Sequence, residues 1–162
     1  MKSGAELQIS AFEYAMKILS KRVYAESEIY TKLRKKNYPQ NEIKSAIEDC
    51  KRYSFINDEA YACDYASLLN SRGCGALLIR RKLMQLQIAD EYIEKALEGI
   101  AENEIASARN AFDFKLRMLK TEKDKFKKKQ KLYAFMVGRG YSFDIIRMLL
   151  DDFEMNRSDD EG

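Results

Sequence analysis

Five apolar positions recur three times along this chain. Moving along by 50 residues, and then by 53, superposes Ile29 on Ile79 and Leu132, and Leu33 on Leu83 and Met136. The same shifts superpose Tyr38 on Ile88 and Tyr141, Ile43 on Ile93 and Ile146, and Ile47 on Leu97 and Leu150. Within each set the steps run 4, 5, 5 and 4 residues. A step of four keeps two side chains on one face of a helix, so each set describes a helix, a tight turn near Asn37, Gln87 or Gly140, and a second helix. A period near 50 residues implies that each unit buries its apolar face partly against its neighbour. Chance coincidence of apolar positions in a helical chain is the competing explanation, and five coincidences in one register argue against it.

A further helical stretch precedes each pair, around Ala11–Lys21, Asp58–Asn70 and Glu104–Lys120. The expected fold is therefore all-α, with three tandem three-helix repeats, about nine helices, in an elongated and curved array. The units fall at 1–55, 56–100 and 101–154, with an acidic tail at 155–162. Only one proline and seven glycines punctuate the chain, and no alternating apolar and polar run argues for a strand. Ser10 with Glu13 reads as a capping box, and Asn57 before Asp58-Glu59 and Ser142 before Asp144 read as further helix starts. Pro39 suits the first turn of a helix, where its missing N–H removes no bond.

The chain has no histidine. Without imidazole there is no Ser-His or Cys-His nucleophile pair and no histidine-bound zinc or iron. No Gly-rich phosphate loop is present either. Cys50, Cys63 and Cys74 match neither a disulfide framework nor a CxxC metal knuckle, and read as idle thiols of a reducing compartment. Apolar runs such as Gly75–Ile79 are far short of a membrane span, and Met1–Glu6 lacks the apolar core of a secretion signal. The expectation is a cytoplasmic monomer that is not an enzyme, holds no metal or cofactor, touches no membrane, and acts by binding macromolecules.

Charge is unevenly spread. From Lys115 to Arg139 ten Lys/Arg face two acids, whereas from Asp151 onward six acids face one arginine. A basic body is the pattern of a protein that meets a polyanion, although any one cluster also fits a solvated helix face. The first cluster is Lys21-Arg22 with Lys32, Arg34, Lys35 and Lys36; with Ile29 and Leu33 turned inward, Arg34 and Lys35 point away from the core and Lys32 lies at its flank. The second is Arg72, Arg80, Arg81 and Lys82, beside the Gly73-Cys74-Gly75 loop, which either turns the chain or brings its backbone close to a docked partner. The third runs from Lys123 to Lys131, with Lys127 and Lys128 at its centre and Arg139 further on, and reads either as a phosphate-contacting surface or as a hydrated linker. Such cations supply affinity for DNA, single- or double-stranded, that is weak and non-specific. The tyrosines and phenylalanines, Phe12, Tyr65 and Phe143 among them, mostly follow the helical register of Leu and Ile and read as core.

The motifs resemble one family. Ala15-x-x-x-Leu19-Ser20-Lys21-Arg22, followed by Glu28-Ile29 and Lys32-Leu33, is similar to the opening motif of RecX-type recombination regulators. Phe55-Ile56-Asn57-Asp58-Glu59-x-x-Ala62-x-x-Tyr65 resembles the family's central signature, followed by Arg72-Gly73-x-Gly75, Ile79 and Leu83. Gly138-Arg139-Gly140-Tyr141 with Ile146 resembles its third-unit ending, so the resemblance spans roughly Ala11 to Phe153. Two departures stand out: Ala25 where a serine is common, which removes an N-cap oxygen, and Cys74 where an aromatic is more usual. The resemblance implies a protein that binds RecA-type recombinase filaments in their helical groove and restrains strand exchange and ATP hydrolysis, in DNA repair and the SOS response. Binding to nucleic acid without a recombinase is the other reading of the same basic surfaces.

Overall fold

The computed structural model describes residues 9–158 of the chain. Among them there are eight α-helices and no strand: α1 Ala11–Leu19, α2 Glu26–Lys35, α3 Gln40–Arg52, α4 Asp58–Ser71, α5 Ala76–Gln85, α6 Asp90–Met118, α7 Lys125–Gly138 and α8 Phe143–Ser158. The expected helix starts are present. Ser10 and Glu13 form the reciprocal capping box of α1, the Asn57 side chain accepts from the Ala60 N–H, and Ser142 Oγ accepts from the Ile145 N–H. Pro39 sits one place earlier than its reading as a first-turn residue, at the N-cap of α3.

The repeating 4-5-5-4 spacing has a local cause. Asn37, Gln87 and Gly140, one per unit, all have positive φ, at 61°, 57° and 82°. Each reverses the end of a helix through the same pair of bonds. Tyr38, Ile88 and Tyr141 donate to Leu33, Leu83 and Met136, while Asn37, Gln87 and Gly140 donate to Arg34, Met84 and Val137. This is the Schellman closure, which brings the residue after the left-handed position back onto the one five before it. The first step of five therefore brings two apolar side chains together across a helix end. A left-handed conformation is unfavourable for a side chain like that of Gln87. Gln87→Gly is expected to raise stability by about 1 kcal/mol, seen as a higher urea midpoint at unchanged slope.

The helix count is eight where nine were expected, because no new helix begins near Glu104. The stretch Gly99-Ile100-Ala101-Glu102-Asn103 contains no proline and only one glycine, so α6 runs on for 29 residues through both units. Its first half places Ile93, Ala96 and Ile100 in one core, and its second half places Ala108, Ala111 and Phe112 in the next. Three apolar clusters result, one for each unit. Ile29 and Leu33, Ile79 and Leu83, and Leu132 and Met136 lie at their centres, fully buried.

Each later unit caps a helix of the unit before it. The N-caps of α2 and α5 are Ala25 and Gly75, neither of which offers a side-chain acceptor. Carboxylates from the following unit replace them: Asp58 accepts from the Glu26 N–H at 2.9 Å, and Glu104 from the Ala76 N–H at 2.7 Å. Ala25 also buries its methyl group in the core of the second unit, while Glu28 takes its N–H. At the second junction the two backbones touch. The Gly75 N–H donates to Arg139 O at 2.8 Å and the Leu77 N–H to Gly140 O at 3.0 Å.

Candidate functional site

The cations of the three basic clusters have different surroundings. Arg80 forks onto Glu94, Lys129 reaches Glu154 at 2.6 Å, and Lys131 reaches Glu122 at 2.6 Å, which holds the Glu122 carboxyl below the ordinary range. Lys21, Arg34, Lys35, Arg72, Arg81, Lys82 and Lys128 make no side-chain hydrogen bond or ion pair among the described residues. The third cluster is helix and not linker from Lys125 onward: Asp124 caps α7 by accepting from the N–H groups of Phe126 and Lys127. Lys127 is exposed in that first turn. Arg34, Lys35 and Arg81 are also exposed, while Lys32 and Lys82 are half-buried, as expected of flanking positions.

The structure brings some of these residues together at the unit junctions. Between the first and second units a cleft of about 310 Å³ is lined by Arg22, Glu28, Tyr61, Tyr65 and Lys82. Arg22 pairs there with Glu28 at 2.9 Å and lies 3.6 Å over the Tyr24 ring, which Lys32 approaches from 5.2 Å. Between the second and third units a cleft of about 640 Å³ is lined by Arg72 and Arg139 together with Ser67, Asn103, Asn110, Phe114 and Phe135. Arg139 is fixed in place: it donates to Arg72 O at 3.3 Å and lies 5.1 Å from the Phe135 ring centre, with Lys115 at 5.4 Å from the same ring. Ser107, hydrogen-bonded to Asn70 O and to Tyr141 Oη, closes the floor of this cleft. Neither Arg34 and Lys35 nor Lys127 and Lys128 line either cleft; the first three are exposed and Lys128 is half-buried.

Sequence reasoning missed Asn103, Asn110 and Phe114. They follow one another by seven and four residues, a stripe on one face of α6, but the stripe is visible only once that helix is known to be continuous. Phe143 corrects a second expectation. As the first residue of α8 it is 62% exposed and outside the core, because the helix turns its buried face inward only from Ile146. Phe12 and Tyr65 do pack against their cores. At the first junction a separate cleft is lined by Glu26, Asp58 and Glu59 with Lys51, and burial pushes the Asp58 carboxyl up against the opposing pull of the Glu26 N–H. Of the acidic C-terminal stretch, Asp152 pairs with Arg109 and Glu154 with Lys129; residues 159–162 of the expected tail lie outside the described residues. Among the described residues no helix is long and apolar enough to cross a membrane.

Comparison with known proteins agrees with this architecture unit by unit. The family description of the first three-helix domain of RecX matches residues 11–50, that of the second matches 57–97, and that of the third matches 102–150. The chain is 36% identical over 142 residues to the regulatory protein RecX of Clostridium botulinum (strain Eklund 17B / Type B), covering 86% of this chain and 66% of that protein. It is 32% identical over 140 residues to the regulatory protein RecX of Chlorobaculum tepidum, covering 85% and 84%. The chain thus spans slightly less than two thirds of the length of the Clostridium relative. A crystal structure of RecX from Lactobacillus salivarius superposes with a TM-score of 0.76 at 22% identity, over 90% of this chain and 95% of that one, and shares the fold. With its three units each matched in order and its relatives named as regulatory proteins, the chain belongs to the RecX family.

Proposed function

We propose that the chain binds filaments of a RecA-type recombinase and restrains strand exchange and DNA-dependent ATP hydrolysis, acting in the cytoplasm as a regulator of DNA repair and not as an enzyme. Membership of a family of regulatory proteins supports this reading. The observation that carries it is the set of cations without ion-pair partners present in every unit: Arg34 and Lys35, Arg81 and Lys82, and Lys128. An array of joined units spreads these charges over a long surface, which suits a partner that is itself a repeating, phosphate-bearing filament.

The test is recombinase ATPase and strand exchange titrated with the protein. Arg34→Glu with Lys35→Glu, and separately Arg81→Glu with Lys82→Glu, are expected to raise the half-inhibitory concentration roughly 10-fold each, with helical circular dichroism unchanged. The salt dependence of binding to the filament is expected to flatten by about one unit of log–log slope for each phosphate that is no longer engaged. Wild-type protein that leaves both activities untouched at excess, while still binding DNA, would favour a nucleic-acid binder that needs no recombinase.

A further inference from the structure

The repeat makes the two junction clefts comparable position by position. Arg22 and Arg72 lie 50 residues apart, each just after the first helix of its unit, and each lines the cleft to the next unit. In the first cleft Glu28 neutralises the arginine at 2.9 Å. The residue 50 places beyond Glu28 is Leu78, and no carboxylate lines the second cleft. The second cleft carries in addition Arg139, where the position 53 residues earlier is Leu86. Two arginines therefore line about 640 Å³ of recessed space with no acid among its lining residues. A recess of that size suits one compact chemical group, and its charge selects an anion.

The remaining walls narrow the class of anion. Phe114 lines the cleft and is 49% exposed, so an aromatic side chain is accessible there. Asn103 and Asn110 are exposed on the same face of α6 and their amides make no hydrogen bond among the described residues. Arginine forks suit phosphate, aromatic rings stack on bases, and asparagine amides match the donor and acceptor pairs of base edges. An acidic peptide would engage the arginines but leave the ring and both amides idle, and a duplex would keep its base faces covered.

We propose that the cleft between the second and third units binds single-stranded nucleic acid, seating a phosphate at Arg72 and Arg139 and stacking the adjoining base on Phe114 with its edge toward Asn103 and Asn110. The proposal deepens the filament reading, since it assigns the strand-binding role to one place on the regulator, and its test needs no recombinase. The full chain is titrated against labelled oligo(dT) and against an abasic strand of equal length, with poly-glutamate as competitor. Wild type is expected to bind oligo(dT) about 10-fold more tightly than the abasic strand. Phe114→Ala is expected to abolish that preference while leaving abasic binding unchanged, Arg72→Gln to weaken both strands about 3-fold or more, and Lys44→Gln, exposed on α3, to change neither. Circular dichroism checks that each variant stays helical.

Equal binding of the two strands by wild type, or a preference that survives Phe114→Ala, overturns the proposal. So does displacement of oligo(dT) by poly-glutamate that is lost in Arg72→Gln, which would assign the cleft to an acidic peptide. If the strand results hold but wild type fails to inhibit the recombinase, the filament reading falls and the cleft stands. If wild type inhibits while both cleft variants bind oligo(dT) as wild type does, the cleft falls and the filament reading stands.

Discussion

Gly140→Ala is expected to destabilise the chain by about 2–5 kcal/mol, a large part of the stability of a domain of this size. Two effects add. The residue holds φ at +82°, a conformation that penalises any L side chain by about 1–2 kcal/mol. A Cβ there would also stand 2.8 Å from the Leu78 Cα, where two backbones meet and no flexible side chain can yield, at a further cost of about 1–3 kcal/mol. Gly75→Ala meets the same obstacle from the other side, because its Cβ would fall 2.6 Å from the Gly140 carbonyl carbon. It is expected to cost a comparable amount and to weaken the Gly75 N–H to Arg139 O bond. Gly99 is the control: nothing lies within 4 Å of a Cβ in the middle of α6, so Gly99→Ala is expected to stabilise by up to about 1 kcal/mol. Urea denaturation of the three variants checks the set. A near-neutral Gly140→Ala would mean that the second and third units do not meet through their backbones.

Leu33→Ala and Leu83→Ala are each expected to cost about 2–5 kcal/mol, by similar amounts. Both side chains are fully buried at the equivalent place in their clusters, one turn after Ile29 or Ile79 and closed over by Tyr38 or Ile88. Removing either leaves a cavity walled by rigid helices that collapses little. The two clusters share no buried residue, so the double variant is expected to show the sum of the single effects, provided that the chain still unfolds in one step. Near-neutral behaviour at both sites, again read by urea denaturation, would remove the physical basis of the repeat.

The two junctions show how one architecture yields surfaces of different character. Each is capped by a carboxylate from the next unit, Asp58 or Glu104, because Ala25 and Gly75 leave the helix N–H groups open. Around that shared frame the first junction neutralises its arginine with Glu28, and the second leaves Arg72 unmatched. Charge at these positions varies without altering the helices, since the helices depend on the buried register.

Much of this was legible in the amino-acid order, and the reason is range. The helical period, the capping box at Ser10 and Glu13, and the apolar residues spaced five apart across each helix end act between neighbours a few places distant, so a linear pattern records them. The identity of the core followed, because burial selects the residues that repeat. What the tertiary structure alone decided depends on residues far apart in the chain. Gly75 reads locally as a turn, yet it is required by the backbone of Gly140, 65 residues later. The fusion of two expected helices into α6 is a balance between a missing stop signal and packing on both sides, which no spacing marks. The convergence of Arg72, Arg139, Asn110 and Phe114 on one cleft comes from three helices whose relative placement is set by side-chain packing at the junction, and packing geometry leaves no period in the sequence.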